Sequence, residues 1–211
     1  MAVIDPGPDM EAHVRALSAA LESAREVRVL LTHKHSDHAG AVPRLLELTG
    51  ASLETLNEGE RVSTDEGELV ALEVPGHSSD HRAFHWQEAD CLFVGDLLLG
   101  RGNTTWVGEY LGCVQDYLDS LGKVQDLGVS TLYPAHGPPV TSPRETVDLF
   151  RRHRLERLEE VRTVRETHPE ASPGELAQMI YGGEIPEKLR KAARAGVEAA
   201  LHHLDRAKGR A

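Results

Sequence analysis

The chain has 211 residues, 40% of them hydrophobic, a net charge of −11 and two cysteines. That length supports one sizeable core, or one core with a small appendage, and the composition excludes wholesale disorder. No apolar run approaches the roughly 20 residues that span a bilayer, and "MAVIDPGPDM" lacks a signal-peptide pattern, so no membrane partner is expected. Cys91 and Cys113 are too far apart for a CxxC site, and a reducing cytoplasm is the expected location.

Met10, Val14, Leu17 and Leu21 recur at spacings of four, three and four, which predicts a helix within 9–25. Residues 27–32, "VRVLLT", read as a buried strand that runs into His33. A short helix is expected at 41–49. "ELVALEV" at 68–74 reads as a second strand and ends in Pro75, Gly76 and His77. "DCLFVG" at 90–95 is a third and ends at Asp96. Tyr110, Val114, Tyr117, Leu118 and Leu121 mark one face of a helix over 110–127. "VSTLY" at 129–133 is a fourth strand, and His136 follows closely. The alternation predicts an α/β or α+β sandwich.

A boundary is expected near Ser142. "SPRE" reads as a capping box of Ser142 and Glu145 with Pro143 at the first helical position, and "SPGE" at 172–175 repeats the signal. Pro186 opens a last helix with Leu189, Ala193, Val197, Leu201 and Leu204 on one face. The expected division is therefore 1–142 for a catalytic domain and 143–211 for a small helical one. Charge follows it: residues 1–143 carry 9 Lys/Arg against 22 Asp/Glu, and residues 144–211 carry 14 against 12.

The four strands hand off to His or Asp at their carboxyl ends. "LLTHKHSDHAG" alone crowds His33, His35, Asp37 and His38 into six positions. Crowded polar groups at a strand end are costly to desolvate unless something pairs them, and a metal ion does so. Imidazole and carboxylate suit zinc, with iron or manganese also accommodated. His33 and His35, two apart on a loop, can share one ion, with His77 completing it. Asp37 and His38 would face a second, with His136 completing that. Asp96 has two oxygens and can bridge. Asp37 and Asp96 are the expected catalytic carboxylates, and their charges offset half of the +4 that two divalent ions bring. His81, four residues past His77, is read as a loop anchor in preference to a proton donor. The other histidines are read as ordinary surface or core residues.

These motifs resemble the metallo-β-lactamase superfamily. "THKHSDHAG" resembles its THxHxDH signature, "PGHSSDH" its GHT loop, "VGD" its bridging-aspartate strand and "PAHG" its last histidine. "VIDPG" at 3–7 resembles an early strand end of the family, which implies a supporting role for Asp5. The resemblance implies an α+β fold, an αββα sandwich with a dinuclear site at its edge and two zinc ions per chain. His33, His35 and His77 would hold the first ion, Asp37, His38 and His136 the second, and Asp96 would bridge. The family's two or three strands before "VIDPG" are lacking, so an open sheet edge and a homodimer are expected. Asp96 stands where true β-lactamases of this fold commonly use a Cys, which argues against lactam hydrolysis.

Within the superfamily the chain resembles the β-lactamase-like-protein-2 endoribonuclease group, in "GHSSDH", in residues 97–121, and in "YPAHGPPV" followed by a winged-helix-like C-terminal part whose wing is missing. That implies cleavage of single-stranded RNA. Hydrolysis of a small anionic thioester, of the hydroxyacylglutathione hydrolase type, is the alternative. A mono-iron persulfide dioxygenase and a metal-binding pseudoenzyme are further ones. Thr104 and Thr105 either touch substrate phosphate or cap a turn. Lys188, Arg190, Lys191 and Arg194 form either a solvated helix face or a phosphate-tracking surface.

Overall fold

The computed structural model describes residues 1–182 and 186–209. The N-terminal layer is β1 (Ala2–Ile4), α1 (Glu11–Leu21), β2 (Arg28–Leu30), α2 (Ser36–Ala39), α3 (Val42–Thr49) and β3 (Ser52–Glu54). Its three strands pair in parallel in the order β1-β2-β3. The second sheet holds β4 (Arg61–Thr64), β5 (Gly67–Glu73), β6 (Arg82–Trp86), β7 (Cys91–Gly95) and β8 (Thr131–Pro134) in sequence order. Strands β4 to β7 form an antiparallel meander, and α4 (Cys113–Leu127) carries the chain back so that β8 lies parallel to β7. Then follow α5 (Pro143–Thr167), α6 (Pro173–Tyr181) and α7 (Glu187–Lys208).

Side-chain alternation explains the layering. In β2, Val29 faces α1 and α3 while Leu30 faces the second sheet. In β5, Leu69 and Ala71 meet Leu30 between the sheets, and Leu72, with Val74 just past the strand, points to the opposite face. That face packs Leu92, Leu132, Tyr117 and Leu121 with Phe150, Val161, Leu176 and Val197 in one continuous core. The result is the expected α+β sandwich, with helices outside two facing sheets. Helices α5 to α7 join the core through the face covered by α4. No helix among the described residues is long and apolar enough to cross a membrane.

The two helix starts that look alike in sequence differ in space. Ser172 and Glu175 form the full reciprocal capping box. Ser142 makes no side-chain cap bond, because its φ −124° and ψ 68° lie outside the extended conformation that aims an N-cap hydroxyl at the first turn. Helix α1 stops at Leu21, four residues before the predicted end. Cys91 and Cys113 are both free and buried.

Candidate metal centre

The carboxyl ends of β2, β7 and β8 open at one edge of the sandwich, and the loop after β5 joins them. His33 lies three residues past β2. His35 caps the four-residue α2, which carries Asp37 and His38. Asp96 follows β7, and His136 lies two residues past β8. Gly95 makes the turn possible: it has φ +52°, and a Cβ there would sit 2.6 Å from Thr32 Oγ1 and 2.9 Å from His81 Nε2.

Two clusters result, each with candidate ligand atoms within 4.8 Å of one another: His33, His35 and His77, and Asp37, His38, Asp96 and His136. The seven residues named from sequence are all brought together. In the first cluster, His33 Nε2 lies 2.9 Å from His35 Nδ1, and His77 Nε2 lies 3.1 Å from the same atom. The outward nitrogens settle the tautomers. Thr32 Oγ1 gives its hydrogen to Asp5 Oδ2 at 2.6 Å, so it accepts from His33 Nδ1 at 3.0 Å. His77 Nδ1 donates to the Trp106 carbonyl at 2.9 Å. His35 Nε2 donates to Glu109 Oε1 at 3.3 Å. Three lone pairs therefore converge with no hydrogen between them. A bound cation would satisfy that arrangement, and nitrogens around one zinc would lie about 3.3 Å apart at zinc–nitrogen bonds of about 2.0–2.1 Å.

In the second cluster, His136 Nε2 lies 3.3 Å from Asp37 Oδ2 and 3.6 Å from Asp96 Oδ1. His38 Nε2 lies 3.6 Å from Asp37 Oδ2 and from Asp96 Oδ2. Asp96 Oδ2 is also 3.8 Å from His77 Nε2, so its carboxylate spans the two clusters. His38 Nε2 and Asp96 Oδ1 are buried without a hydrogen-bond partner. Buried polar atoms are rarely left so, and a bound ion would satisfy both. The donor set thus fits metal at both positions.

Asp5 also lies near His33 and His38, but its oxygens are engaged elsewhere. Oδ1 accepts from the Thr32 N–H at 2.7 Å, and Oδ2 accepts from Thr32 Oγ1 and, at 2.8 Å, from His38 Nδ1. It is the carboxylate that turns His38 Nε2 inward, the supporting role expected of it. His81 is buried behind the clusters, and its Nε2 accepts the Asp96 backbone N–H at 3.1 Å. It is an anchor.

The electrostatics separate the two sides. Burial, then the neighbouring imidazoles, lowers the His33 pKa to about 4. Burial also lowers His77, and lowers His81 well below the usual histidine value. Burial opposes charge on His38 as well, but its hydrogen bond to Asp5 and the adjacent Asp96 raise it to about 10. For Asp96, burial works upward and is outweighed by His38, His77 and His136, leaving a value of about 2.

Sequence reasoning missed two supports, Glu109 and the Trp106 carbonyl. Both lie in the irregular segment between β7 and α4, where no periodicity marks a residue. Thr105 is buried and its hydroxyl lies 3.3 Å from His77 Nδ1, and both Thr104 and Thr105 line a cleft of about 670 Å³ beside the clusters. Asp96, His77 and His136 of the clusters line that cleft. Leu99, Trp106, Val161, Tyr181, Leu189 and Val197 form its apolar wall, and Arg154, Arg157 and His153 also line it.

The sequence pattern of the family described as "Metallo-beta-lactamase superfamily" matches residues 2–69 and 51–136, a range that holds both clusters. The chain belongs to the metallo-beta-lactamase superfamily. Members of the superfamily are generally hydrolases. The "Beta-lactamase-like protein 2 homolog" of Caenorhabditis elegans is 28% identical over 96% of this chain and 74% of its own length. An "Atrochrysone carboxyl ACP thioesterase" of Aspergillus fumigatus is 34% identical over 85% of this chain and 64% of its own. The chain thus spans about two thirds to three quarters of these two relatives. The fold matches that of a metallo-beta-lactamase family protein from Thermus thermophilus, with a TM-score of 0.80 at 22% identity over 99% of this chain and 85% of that one.

Proposed function

We propose that the protein is a two-metal hydrolase of thioesters with an apolar acyl portion. The cleft carries this reading. It adjoins Asp96 and His136 and is lined mostly by aliphatic and aromatic side chains, which suit an acyl chain, while Arg154, Arg157 and His153 on the same wall could face an anionic carrier group of the thioester. The thioesterase among the relatives, 34% identical, supports it. His33, His35 and His77 would hold one ion, Asp37, His38 and His136 the other, and Asp96 both. Two divalent ions bound there, zinc in the first instance, would supply Lewis-acid polarisation of the scissile carbonyl and acidify water. The chain's own residues do the rest. Asp5, Glu109 and the Trp106 carbonyl hold the imidazoles in one tautomer. The apolar wall excludes water from the acyl chain. Asp37 and His136 lie on the exposed side of the centre, where substrate enters.

Cleavage of single-stranded RNA is the second reading. It is favoured by the likeness to the β-lactamase-like-protein-2 homolog over nearly the whole chain. Against it, Arg190 pairs with Glu187 at 2.7 Å and Arg194 with Glu198 at 2.8 Å, which blunts the cationic face of α7. A panel of a medium-chain acyl thioester, a lactone, single-stranded RNA and duplex RNA decides, each run with zinc-loaded and chelator-treated protein. Metal-dependent turnover of the thioester is expected. Cleavage of RNA with an inert thioester would overturn the proposal in favour of the second reading.

A further inference from the structure

Segment 104–109 crosses between the metal centre and the C-terminal helices and bonds to both. On the helix side, the Thr105 carbonyl accepts from Arg154 Nη2 of α5 at 2.9 Å. Trp106 Nε1 donates to the Ala192 carbonyl of α7 at 3.1 Å. Val107 is buried in the shared core. Gly108 lies directly on α7: a Cβ there would be 2.8 Å from Gly196 N and 2.9 Å from its Cα. On the metal side, the Trp106 carbonyl holds His77 Nδ1. Glu109 closes the segment. Its Oε1 accepts from His35 Nε2 at 3.3 Å, and its Oε2 accepts from the Ser79 N–H at 2.8 Å.

We infer that Glu109 is the positioning carboxylate of the first metal position, and that segment 104–109 makes α5 and α7 part of that position's support. The inference rests on the ligand set proposed above. Glu109 ties together two loops, the one with His35 and the one with His77, and does so through the ring of a ligand. The Lys34–Asp80 ion pair, 3.4 Å long, joins the same loops at the surface without engaging an imidazole. A carboxylate on the outer nitrogen of a ligating imidazole fixes ring and tautomer and raises the basicity of the inner nitrogen. Glu109 can do this because Trp106 and Gly108 seat the preceding residues on α7, which packs into the shared core. The second position has its own carboxylate in Asp5, delivered from β1. Asp5 holds His38 directly and reaches His33 of the first position through Thr32, whereas Glu109 engages a ligand of the first position alone, so substitution of Glu109 should act on that position.

The test is metal binding by the full chain, not turnover. Metal-stripped protein is titrated with zinc against a chromophoric chelator, which resolves two dissociation constants. Glu109→Gln keeps an oxygen for the Ser79 N–H but removes the charge. It should weaken one constant by about 10–100-fold, with the other within about threefold of the parent. The same measurement on Asp5→Asn should weaken the other one through His38, and the first as well through Thr32 and His33. The melting temperature of stripped Glu109→Gln should match the parent. Two parental constants in folded Glu109→Gln, or equal weakening of both, would overturn the assignment. If Glu109→Gln lowers the melting temperature, Glu109→Asp decides: recovery toward parental binding supports the role of the charge, and its absence overturns it. A parent that takes up no metal refutes the ligand set itself, a different result from either.

Discussion

The Asp96 backbone N–H points into the core and donates to His81 Nε2, 3.1 Å away. Gly95 beside it has no side chain to interfere, so the turn that aims the Asp96 carboxylate is held by one buried imidazole. His81→Ala would orphan that N–H and leave a cavity. A loss on the order of 2–4 kcal/mol in unfolding free energy is expected. Denaturant melts of the metal-free protein check it, and a parental midpoint would remove His81 from this role.

Asp96→Ala should lower metal occupancy at both positions, since the carboxylate faces His38 and His77 alike. His77→Ala should weaken mainly the first. Plasma emission analysis after gel filtration reads both. Full occupancy in Asp96→Ala would rule out the bridge.

The metal-free chain should lose stability on both sides of about pH 6.5. Folding depresses the His33 pKa from 6.5 to about 4, so the unfolded chain binds more protons in that window and stability falls as pH drops through it. Folding raises His38 from 6.5 to about 10, so its contribution is complete below 6.5 and is lost as pH rises through 10. Metal at the second position requires neutral His38, so uptake at pH 7 should release about one proton from it. Calorimetric titration in buffers of different ionisation enthalpy measures that proton. A binding heat independent of buffer would contradict it.

Changing Arg190, Lys191 and Arg194 together to Ala tests the face of α7. Each phosphate of a single strand that the protein ceases to neutralise would flatten the salt dependence of RNA binding by roughly 0.7 in slope. Because Glu187 and Glu198 already pair two of these cations, a slope close to the parent is expected. A large flattening would favour the RNA reading.

Chemistry that repeats along the chain was legible without coordinates. Four strand ends handing off to His33, His77, Asp96 and His136 announced a metal site, because a strand end is where a sheet can aim polar side chains while its own atoms stay paired. The helices with a long apolar stripe, α4 and α7 among them, could be placed for the same reason. Tertiary structure decided what has no period. Strand β3 is three residues long with no apolar run to mark it, and exists through parallel pairing with β2. Ser142 and Ser172 carry the same start signal, yet only one has the backbone angles to use it. Glu109 lies 74 residues from His35 in an irregular segment, and nothing local distinguishes it from any solvated glutamate. Local sequence sets which side chains carry donors and which faces are apolar. Which donors meet is set by long-range packing, here by Trp106 and Gly108 resting on α7.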